Sequence, residues 1–388
     1  MNFWWILYIL DWLVFVPVAL TTLYLFLFSL ASLIKNSKPA KTAKRGNRFI
    51  VLIPAYRADG VILSTVNSIL GQTYTQRNFD VVVISDHQSE ITNFRLAQLP
   101  ITLLTPNFDK SSKVKSIQYA ILNLPQFKIY DTVVLLDAGN VVEPEFLQQV
   151  NDAYESAGTK AIQCHRLARN RDTTIARLDA IFEEINNSVF RRGHLTVGLS
   201  AALNSSGMVF DYQWFKQNIM KVRVTVGENK ELESILVREG IYVEYFDDIL
   251  VYDEKTRDIN DFHVKRVRWI LNQYRSLATN IRYLPAAILN RHYDQADKIL
   301  QWMLIPRIFM VFIFSVFCLI LPFVYFTMVI KWWVIAVLFG FSLAIATPDY
   351  LVDKHWDTDF LMLPFRIAWN AVSMLTNSKK NPKKTKKS

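Results

Sequence analysis

The 388-residue sequence lacks the phosphate-binding motifs that are common in nucleotide enzymes. No Gly-x-Gly-x-x-Gly follows its first apolar run of strand type, and no Gly-Lys-Ser or Gly-Lys-Thr occurs. The first absence argues against a dinucleotide-binding fold of the common type, and the second argues against a P-loop enzyme.

Cysteine and histidine are both scarce. The two cysteines are Cys164 and Cys318, and Cys318 lies inside an apolar run, so we expect no disulfide between them. A chain without disulfides fits a reducing compartment. The histidines show no spacing typical of a metal site. Solvated or core positions are expected for His87, His165, His194 and His263.

The middle of the chain has no excess of positive charge, although the net charge is +10. Six basic residues and no acid lie in 35–48, and six lysines and no acid lie in 379–387. Together they exceed the net charge, so the remaining chain is slightly acidic and we expect no nucleic-acid partner. The lysines at the C-terminal end are expected either to contact anionic lipid or to form a disordered tail.

Long runs without a charge predict membrane helices. Trp12–Ile34 and Ile308–Ile330 each contain 23 residues, and Trp332–Thr347 contains 16. A helix of 23 residues is about 34 Å long, which exceeds the hydrocarbon thickness of about 30 Å. We predict one N-terminal span followed, after the soluble region, by a hairpin with Lys331 in its short loop. Asp11 is expected at the membrane interface.

These runs divide the chain into seven predicted parts. They are an anchor (1–34), a basic linker (35–47), a soluble domain (48–280), an interfacial segment (281–303), a transmembrane hairpin (304–352), an amphipathic interfacial helix (353–376) and a basic tail (377–388). With three spans, both basic clusters lie on the same side as the soluble domain. The positive-inside rule then places that domain in the cytosol, attached to the cytoplasmic (inner) membrane.

The soluble region reads as alternating strands and helices. Strands are predicted at Phe49–Pro54, Asp80–Asp86, Ile101–Leu104, Thr132–Leu136, Lys160–His165 and Tyr242–Phe246. Helices are predicted at Ile62–Leu70, Val114–Leu124, Phe146–Ser156, Thr174–Arg192, Glu231–Arg238 and Asp261–Ser276. This alternation predicts an α/β fold with a mostly parallel sheet. The Gly- and Ser-rich segment Leu195–Phe210 is expected to be a loop or irregular strand lining a site.

Charged side chains stand where strands end and helices begin. Asp86 ends the second strand, Asp137 follows the fourth, Lys113 opens a helix, and Glu228-Asn229 opens a later one. The carboxyl ends of parallel strands are where open α/β sheets bind ligands. Here a carboxylate can accept hydrogen bonds from a nucleoside or ligate Mg²⁺ or Mn²⁺, and a lysine can hold phosphate. Taken singly, each could also be a turn-starting acid or a solvated lysine.

Five short motifs, taken in order, resemble family 2 glycosyltransferases of the GT-A fold. They are Ile53-Pro54-Ala55-Tyr56, Val83-Ile84-Ser85-Asp86, Asp137-Ala138, Glu228-Asn229 and Arg268-Trp269. Membrane-bound members include cellulose and hyaluronan synthases and ceramide glucosyltransferase. The resemblance covers roughly residues 48 to 275. It implies inverting transfer of a sugar from a nucleotide donor, expected to be UDP-linked, to a lipid-linked or polysaccharide acceptor, with Mg²⁺ or Mn²⁺ as cofactor.

The resemblance also assigns roles to individual positions. Donor and nucleotide contacts are implied for Pro54, Ala55, Tyr56, Arg57, Asp86, Lys113, Asp137 and Ala138. Diphosphate or acceptor contacts are implied for Lys265, Arg266, Arg268 and Trp269. The metal would be held by Asp137, with Asn140 supplying a neutral oxygen. Membrane lipids and proteins of a polysaccharide assembly system are the further partners that it suggests.

Two positions depart from the family pattern. Gly139 stands where the second Asp of Asp-x-Asp is usual, and Asn229 stands where the catalytic base is usual. Asparagine cannot accept the proton of an acceptor hydroxyl at neutral pH. Either Glu228 replaces the base, or the protein is slow or inactive. The alternative function is therefore a catalytically impaired homologue that binds donor or partner and acts in membrane assembly.

The predicted topology can be tested by labelling single cysteines from outside intact cells, with Cys164 and Cys318 replaced by serine. Cysteines placed near Met1 and near Lys331 should react, because both positions are expected outside the cytosol. A cysteine at Ser200 should not react, and reaction there would contradict the cytosolic domain.

Overall fold

The computed structural model describes residues 3–34, 40–125, 127–223, 227–324 and 326–352. The chain forms two compact units, Met1–Ser29 with Leu304–Ser388, and Leu30–Met303. Part of the predicted linker, the predicted amphipathic helix 353–376 and the basic tail 377–388 lie outside the described residues.

The larger unit, Leu30–Met303, is built on an eight-stranded sheet. Its strands are β1 (Phe49–Tyr56), β2 (Phe79–Asp86), β3 (Thr102–Leu104), β4 (Thr132–Leu135), β5 (Val141–Val142), β6 (Ala161–Ala168), β7 (Met208–Asp211) and β8 (Val243–Asp253). The order across the sheet is β3-β2-β1-β4-β7-β6-β8-β5. Strands β3, β2, β1 and β4 run parallel, and β7 is antiparallel to both β4 and β6.

Helices cover both faces of this sheet, and further helices form the other unit. The helices are α1 (Phe3–Ala31), α2 (Ile62–Leu70), α3 (Glu90–Ala97), α4 (Lys113–Asn123), α5 (Phe146–Ala157), α6 (Thr174–Asn187), α7 (His194–Thr196), α8 (Tyr212–Ile219), α9 (Glu228–Arg238), α10 (Ile259–Asn280), α11 (Leu284–Leu289), α12 (Tyr293–Met303), α13 (Arg307–Val324) and α14 (Phe326–Ala346). Short 3₁₀ turns lie at Gln76–Asn78, Ile281–Tyr283 and Asp349–Leu351, and a π-helical turn lies at Ser188–Gly193.

Alternate side chains of each central strand enter two separate cores. On β1, Ile50 and Leu52 pack into a cluster with apolar residues of α4, α8 and α9. Phe49, Val51 and Ile53 face the opposite cluster, which includes residues of α2 and α5. A strand buried on both faces has to be apolar throughout, and this explains its continuous run of apolar residues.

The predicted mostly parallel sheet is confirmed for the described strands, since four of their seven pairings are parallel and only β5 and β7 pair with antiparallel neighbours. Two predicted elements need correction. Strand β8 continues past the predicted end at Phe246 to Asp253, with a register shift opposite Cys164 and His165. The predicted helix Thr174–Arg192 is α-helical only to Asn187 and then widens into the π-helical turn.

The other unit carries the apolar helices. Two helices, at Leu7–Ala31 and Met328–Ala346, are long and apolar enough to cross a membrane, and a third span exists if α12 and α13 are counted as one bent segment. Trp332 of α14 is fully buried. Its ring stacks on Phe317 of α13 at 4.2 Å between centroids and meets Phe15 of α1 edge-on at 5.2 Å. These aromatic contacts hold the three helices together.

The prediction that Lys331 lies in the hairpin loop is wrong. Helix α14 already begins at Phe326, so Lys331 lies inside it. Its ammonium is bonded to the Asp11 carboxylate and lies 3.9 Å from the centre of the Trp12 ring. A charge is tolerated within an apolar helix when it is paired, so the helix does not end there. A labelling probe for the loop therefore belongs near Phe326.

Asp11 is buried by this contact and by a second hydrogen bond. Its other carboxylate oxygen accepts a hydrogen bond from the Trp332 indole nitrogen at 2.7 Å. The two partners come from α1 and α14, which are 320 residues apart in the sequence. This pair therefore fixes the register of the first apolar helix against the last.

Replacing Asp11 by asparagine should destabilise the helical unit, because it leaves the Lys331 charge without its carboxylate. Breaking a buried ion pair costs about 3 kcal/mol or more. Thermal unfolding in detergent should show the loss, and the double variant with Lys331→Met should recover most of it. Asp349→Asn is the control, since Asp349 is exposed. Equal effects of Asp11→Asn and the control would show that the pair contributes nothing.

Candidate functional site

One ammonium group is held between two carboxylates at the carboxyl edge of β4. Lys113 Nζ lies 2.6 Å from Asp137 Oδ1 and 3.3 Å from Glu228 Oε1. The same group donates a hydrogen bond to the carbonyl oxygen of Ser205. The Lys113 side chain is 20% exposed and that of Glu228 only 6%, so the group is largely shielded from water. The structure thus brings together three of the predicted site residues.

Local sequence explains why these side chains converge. Ser112 caps α4 by accepting a hydrogen bond from the Lys115 amide at 3.2 Å, and so makes Lys113 the first helical residue. Glu228 is the first residue of α9 and follows Gly227, whose φ of 90° favours glycine. A Cβ on Gly227 would lie 2.9 Å from the Asn272 side chain of α10, so α9 can begin this close to α10 only with glycine there.

The charges of this group stabilise one another. Burial alone would lower the pKa of Lys113, but the negative charges of Asp137 and Glu228 outweigh burial and raise it above its ordinary value. Lys113 is therefore protonated at neutral pH. The two carboxylates would repel each other without that charge, so Lys113 sets their spacing.

Asp137 begins a turn that Asn140 closes. The Asn140 side-chain oxygen accepts hydrogen bonds from the Asp137 amide at 2.8 Å and from the Ser206 hydroxyl. Its amide nitrogen donates to Asp253 Oδ1 at 3.0 Å, and the residue is fully buried. The predicted use of Asn140 as a metal ligand does not fit this geometry, because both of its polar atoms are already bonded within the protein.

Gly139 shapes the same turn. Its φ is 103°, and its amide donates a hydrogen bond to Thr65 Oγ1 at 2.8 Å. An aspartate at this position would be strained, since side-chain-bearing residues rarely adopt that φ. The departure from Asp-x-Asp is therefore built into the backbone of the turn.

Asn229 is also fixed by its amide group. Its Nδ2 donates a hydrogen bond to the carbonyl oxygen of Leu203 at 3.1 Å. A carboxylate in the same orientation would place an acceptor against an acceptor. The local structure therefore suits asparagine, and Glu228 is the carboxylate of this pair that contacts Lys113.

A buried charged network that the sequence did not reveal lies beside this turn. Arg166 donates to Ser205 Oγ at 3.0 Å and to Asp253 Oδ2 at 2.5 Å. Lys255 pairs with Asp253 at 3.1 Å and with Glu183 at 3.5 Å. The signal for Asp253 was present, because it follows the apolar residues Ile249–Tyr252 just as Asp137 follows its strand. Because the predicted strand ends at Phe246, Asp253 was not recognised as a strand-end carboxylate.

The predicted nucleoside residues meet at the ends of β1 and β2. Tyr56 pairs with Asp86 across the two strands, and the Arg57 amide donates to the Asp86 carbonyl at 3.2 Å. Asp86 is buried; one carboxylate oxygen is 2.5 Å from His87 Nδ1, and the other has no hydrogen-bond partner among the described residues. An unpaired buried acceptor suits a ligand N–H.

The other residues predicted near the nucleotide differ in access. Tyr56 is about half exposed, and the Arg57 guanidinium lies 5.3 Å from the centre of its ring. Pro54 is partly buried, whereas Ala55 is almost fully buried within β1. Ala55 therefore supports the strand rather than offering a surface.

The four residues predicted on α10 divide into two groups. Arg266 pairs with Asp179 of α6 at 2.5 Å and stacks over Phe182 at 4.6 Å. It is engaged in helix packing and not with the Lys113 group. Lys265, Arg268 and Trp269 are exposed. Lys265 lines a cavity of about 390 Å³ together with Ala138, Gly139 and Asp253.

This cavity lies where the turn after β4 faces the start of α10. Ala138 and Gly139 border it on one side, and residues 253–258, which follow β8, border it on another. Four acidic and three basic side chains line it, so the cavity is strongly polar.

The chain has the fold of a solved mannosyltransferase. The mannosyltransferase PcManGT from Pyrobaculum calidifontis, solved with GDP-Man and Mn²⁺, superposes with a TM-score of 0.55 at 15% identity, over 84% of this chain and 98% of that one. S. aureus TarS 1–349 gives a TM-score of 0.43 at 12% identity, over 78% and 82% of the two chains. At these identities the first likeness shows the fold alone, which is GT-A. No curated protein sequence matches the chain.

The family model described as glycosyltransferase like family 2 matches residues 47–272, which is more than half of the chain. The matched range begins just before β1 and ends within α10, so it contains Lys113, Asp137 and Glu228. The chain therefore belongs to glycosyltransferase family 2.

Proposed function

We propose that the protein is an inverting, membrane-attached glycosyltransferase. It transfers a sugar from a nucleotide donor, UDP-linked in this proposal, to a lipid-linked or polysaccharide acceptor at the cytosolic face of the cytoplasmic membrane. Membership of the family supports sugar transfer from a nucleotide sugar. The long apolar helices support membrane attachment, and the basic clusters that flank them support the cytosolic side.

The observation that carries the proposal is the meeting of Lys113, Asp137 and Glu228. They come from three separate elements, the starts of α4 and α9 and the turn after β4. Removing charged side chains from water costs free energy, and paired charges with perturbed pKa values cluster at functional sites. A nucleoside diphosphate leaving group needs positive charge, and an acceptor hydroxyl needs a base.

Glu228 is the proposed base. In a single displacement, a base takes the proton of the acceptor hydroxyl while the hydroxyl oxygen attacks the anomeric carbon of the donor. The bond from that carbon to the nucleoside diphosphate breaks, and its electrons remain on the diphosphate. Asn229 cannot take the proton, and its amide is engaged with Leu203. Glu228 is adjacent in sequence and contacts Lys113.

Lys113 is proposed to act on the leaving group. Its ammonium neutralises part of the diphosphate charge as the bond to the sugar breaks. A diphosphate that attracts Lys113 also weakens its hold on Glu228, which leaves that carboxylate available to the acceptor hydroxyl. Asp86, with its unpaired oxygen, is proposed to accept a hydrogen bond from the nucleoside.

A divalent ion fits this site only in part. No group of three or more His, Cys, Asp or Glu side chains suited to a metal exists within the described ranges. Asp137 offers a carboxylate, and Mg²⁺ commonly binds through one or two carboxylates plus substrate phosphates. Asp137 is therefore the proposed ligand, with donor oxygens and water completing the shell. A bound Mg²⁺ or Mn²⁺ would add positive charge for the leaving diphosphate.

A catalytically impaired homologue that acts as a membrane assembly protein is the second candidate. The observation in its favour is the amide hydrogen bond of Asn229, which fixes a residue without basic character at the usual place of the base. Nucleotide binding is common to both candidates, so turnover decides between them.

Glu228→Gln should lower kcat by about 10²- to 10⁴-fold, the usual contribution of a general base, and leave donor affinity within a few-fold. UDP release from a panel of UDP-, GDP- and dTDP-sugars measures turnover, and thermal stabilisation measures donor binding. Glu231→Gln, one turn further along α9, is the matched control and should keep full activity.

Other outcomes separate the two candidates. Turnover that survives Glu228→Gln would remove Glu228 as the base. A wild-type protein that binds nucleotide without turnover, and gains turnover on Asn229→Asp, would support the impaired homologue. Absence of nucleotide binding, even with Mn²⁺, would contradict both.

Lys113→Gln should strengthen Mn²⁺ binding in the absence of nucleotide. The substitution removes the cation that occupies Asp137, and affinity should rise roughly tenfold, equivalent to about 1.4 kcal/mol. Electron paramagnetic resonance of free Mn²⁺ gives the affinity. Lys115→Gln on the same helix is the control, because its ammonium bonds to the Lys110 carbonyl instead. Equal Mn²⁺ affinity in both variants would exclude competition between Lys113 and the ion.

A further inference from the structure

A second buried ion pair lies behind the proposed site. Lys298 of α12 and Glu233 of α9 are both fully buried, with 3.5 Å between Nζ and Oε1. Lys230, one turn before Glu233, binds its other carboxylate oxygen at 2.9 Å. Removing two charges from water is expensive, and packed apolar side chains would often be at least as stable. The pair therefore calls for a reason other than stability.

Glu233 also holds the backbone of the segment that borders the proposed site. Its Oε1 accepts a hydrogen bond from the Leu203 amide at 2.9 Å. A hydrogen bond to a charged carboxylate is stronger than one to a neutral acceptor. Burial would raise the pKa of Glu233, but Lys230 and Lys298 outweigh burial and lower it, so the carboxylate stays ionised.

The segment Leu203–Ser205 contacts the site at three points. The Leu203 carbonyl accepts from Asn229, and the Ser205 carbonyl accepts from Lys113. The Ser205 hydroxyl donates to Asp137 Oδ2 at 3.2 Å. Glu233 binds the Leu203 amide, and all three contacts are made by Leu203 itself or by Ser205, two residues further along the chain.

Helix α12 fixes the start of the same stretch. Asp294, in its first turn, accepts a hydrogen bond from the Ser200 amide at 2.6 Å. Lys298 lies one turn further along α12 and pairs with Glu233. Helix α12 therefore supports the stretch 200–203 at both ends. Asp294 binds the Ser200 amide directly, and Lys298 pairs with Glu233, which binds the Leu203 amide.

We infer that Glu233 is a positioning residue for the sugar-transfer site, held in place by Lys298 of α12, and that it acts by fixing the segment Leu203–Ser205. Its effect on turnover rests on the proposed function. Glu233 touches neither Lys113 nor Asp137 directly. It sets where Ser205 stands, and Ser205 bonds to both. Helix α12 thereby becomes part of the support of the donor site.

Two double variants test this inference. Glu233→Gln with Lys298→Met removes both buried charges but keeps a side-chain oxygen for the Leu203 amide. Glu233→Met with Lys298→Met removes the charges and the acceptor together. Both double variants remove the charges of Glu233 and Lys298, and only one of them keeps an acceptor for the Leu203 amide. A difference between the two variants therefore measures the effect of that hydrogen bond.

Hydrogen exchange resolved to single amides is the first readout. Exchange at Leu203 should be about threefold faster than wild type in the Gln variant and at least tenfold faster in the Met variant, in line with the net strength of one hydrogen bond. The Ala202 amide bonds to the Phe190 carbonyl and should not change in either variant. Equal exchange at Leu203 in the two variants, or equal acceleration at Ala202, would overturn the inference.

Turnover is the second readout. kcat/KM for the donor should fall about tenfold in the Met variant and recover to within threefold of wild type in the Gln variant, at equal unfolding temperatures. Equal kcat/KM in the two variants would also overturn the inference. If wild type turns over no donor, the proposed function fails, while exchange still decides the role of Glu233. If the Met variant does not fold, Glu233→Ala with Lys298→Met is the variant without the acceptor, and Leu203 exchange equal to that of the Gln variant would exclude positioning.

Discussion

The site depends on one interaction, the sharing of the Lys113 ammonium by Asp137 and Glu228. Two carboxylates in a shielded place repel each other, and a cation between them turns that repulsion into cohesion. The contact at 2.6 Å ties the start of α4 to the turn after β4, and the contact at 3.3 Å ties it to the start of α9. Three elements that share no local sequence signal are thereby held at one edge of the sheet, and the same ammonium is the group that we propose acts on the leaving diphosphate.

Much of this arrangement could be predicted from local sequence. Continuous apolar runs gave the central strands, because strands buried on both faces admit few polar residues. The sequence predicts Asp86 and Asp137 as strand-end carboxylates, and they do lie at the ends of β2 and β4, the two strands that flank β1. The family assignment is confirmed, and so is the GT-A fold. Motif order was decisive for both, since each motif alone occurs widely.

Contacts between distant residues could not be predicted in this way. Lys331 looks like a helix break until Asp11, 320 residues away, is seen to neutralise it. Asn140 looks like a free ligand until its amide group is found bonded to Asp137 and Asp253. Arg266 matches a diphosphate-binding pattern by position, yet its guanidinium pairs with Asp179 and stacks on Phe182. In each case the residue type was read correctly, and its partner, which decides its role, was set by tertiary packing.

The reversal of strand direction at β7 has a consequence for how the site forms. Because β7 runs antiparallel to β4, the chain that precedes it passes the carboxyl edge of β4 and delivers Ser205 beside Asp137. The site thus forms only when Lys113 meets Asp137, 24 residues away, and Ser205, 92 residues away. Pairings of such large sequence separation form slowly, after local structure is in place. The site around Lys113 is therefore expected to be among the last parts of the larger unit to become ordered. Binding of a nucleotide sugar during refolding would then report the completed sheet rather than its first helices.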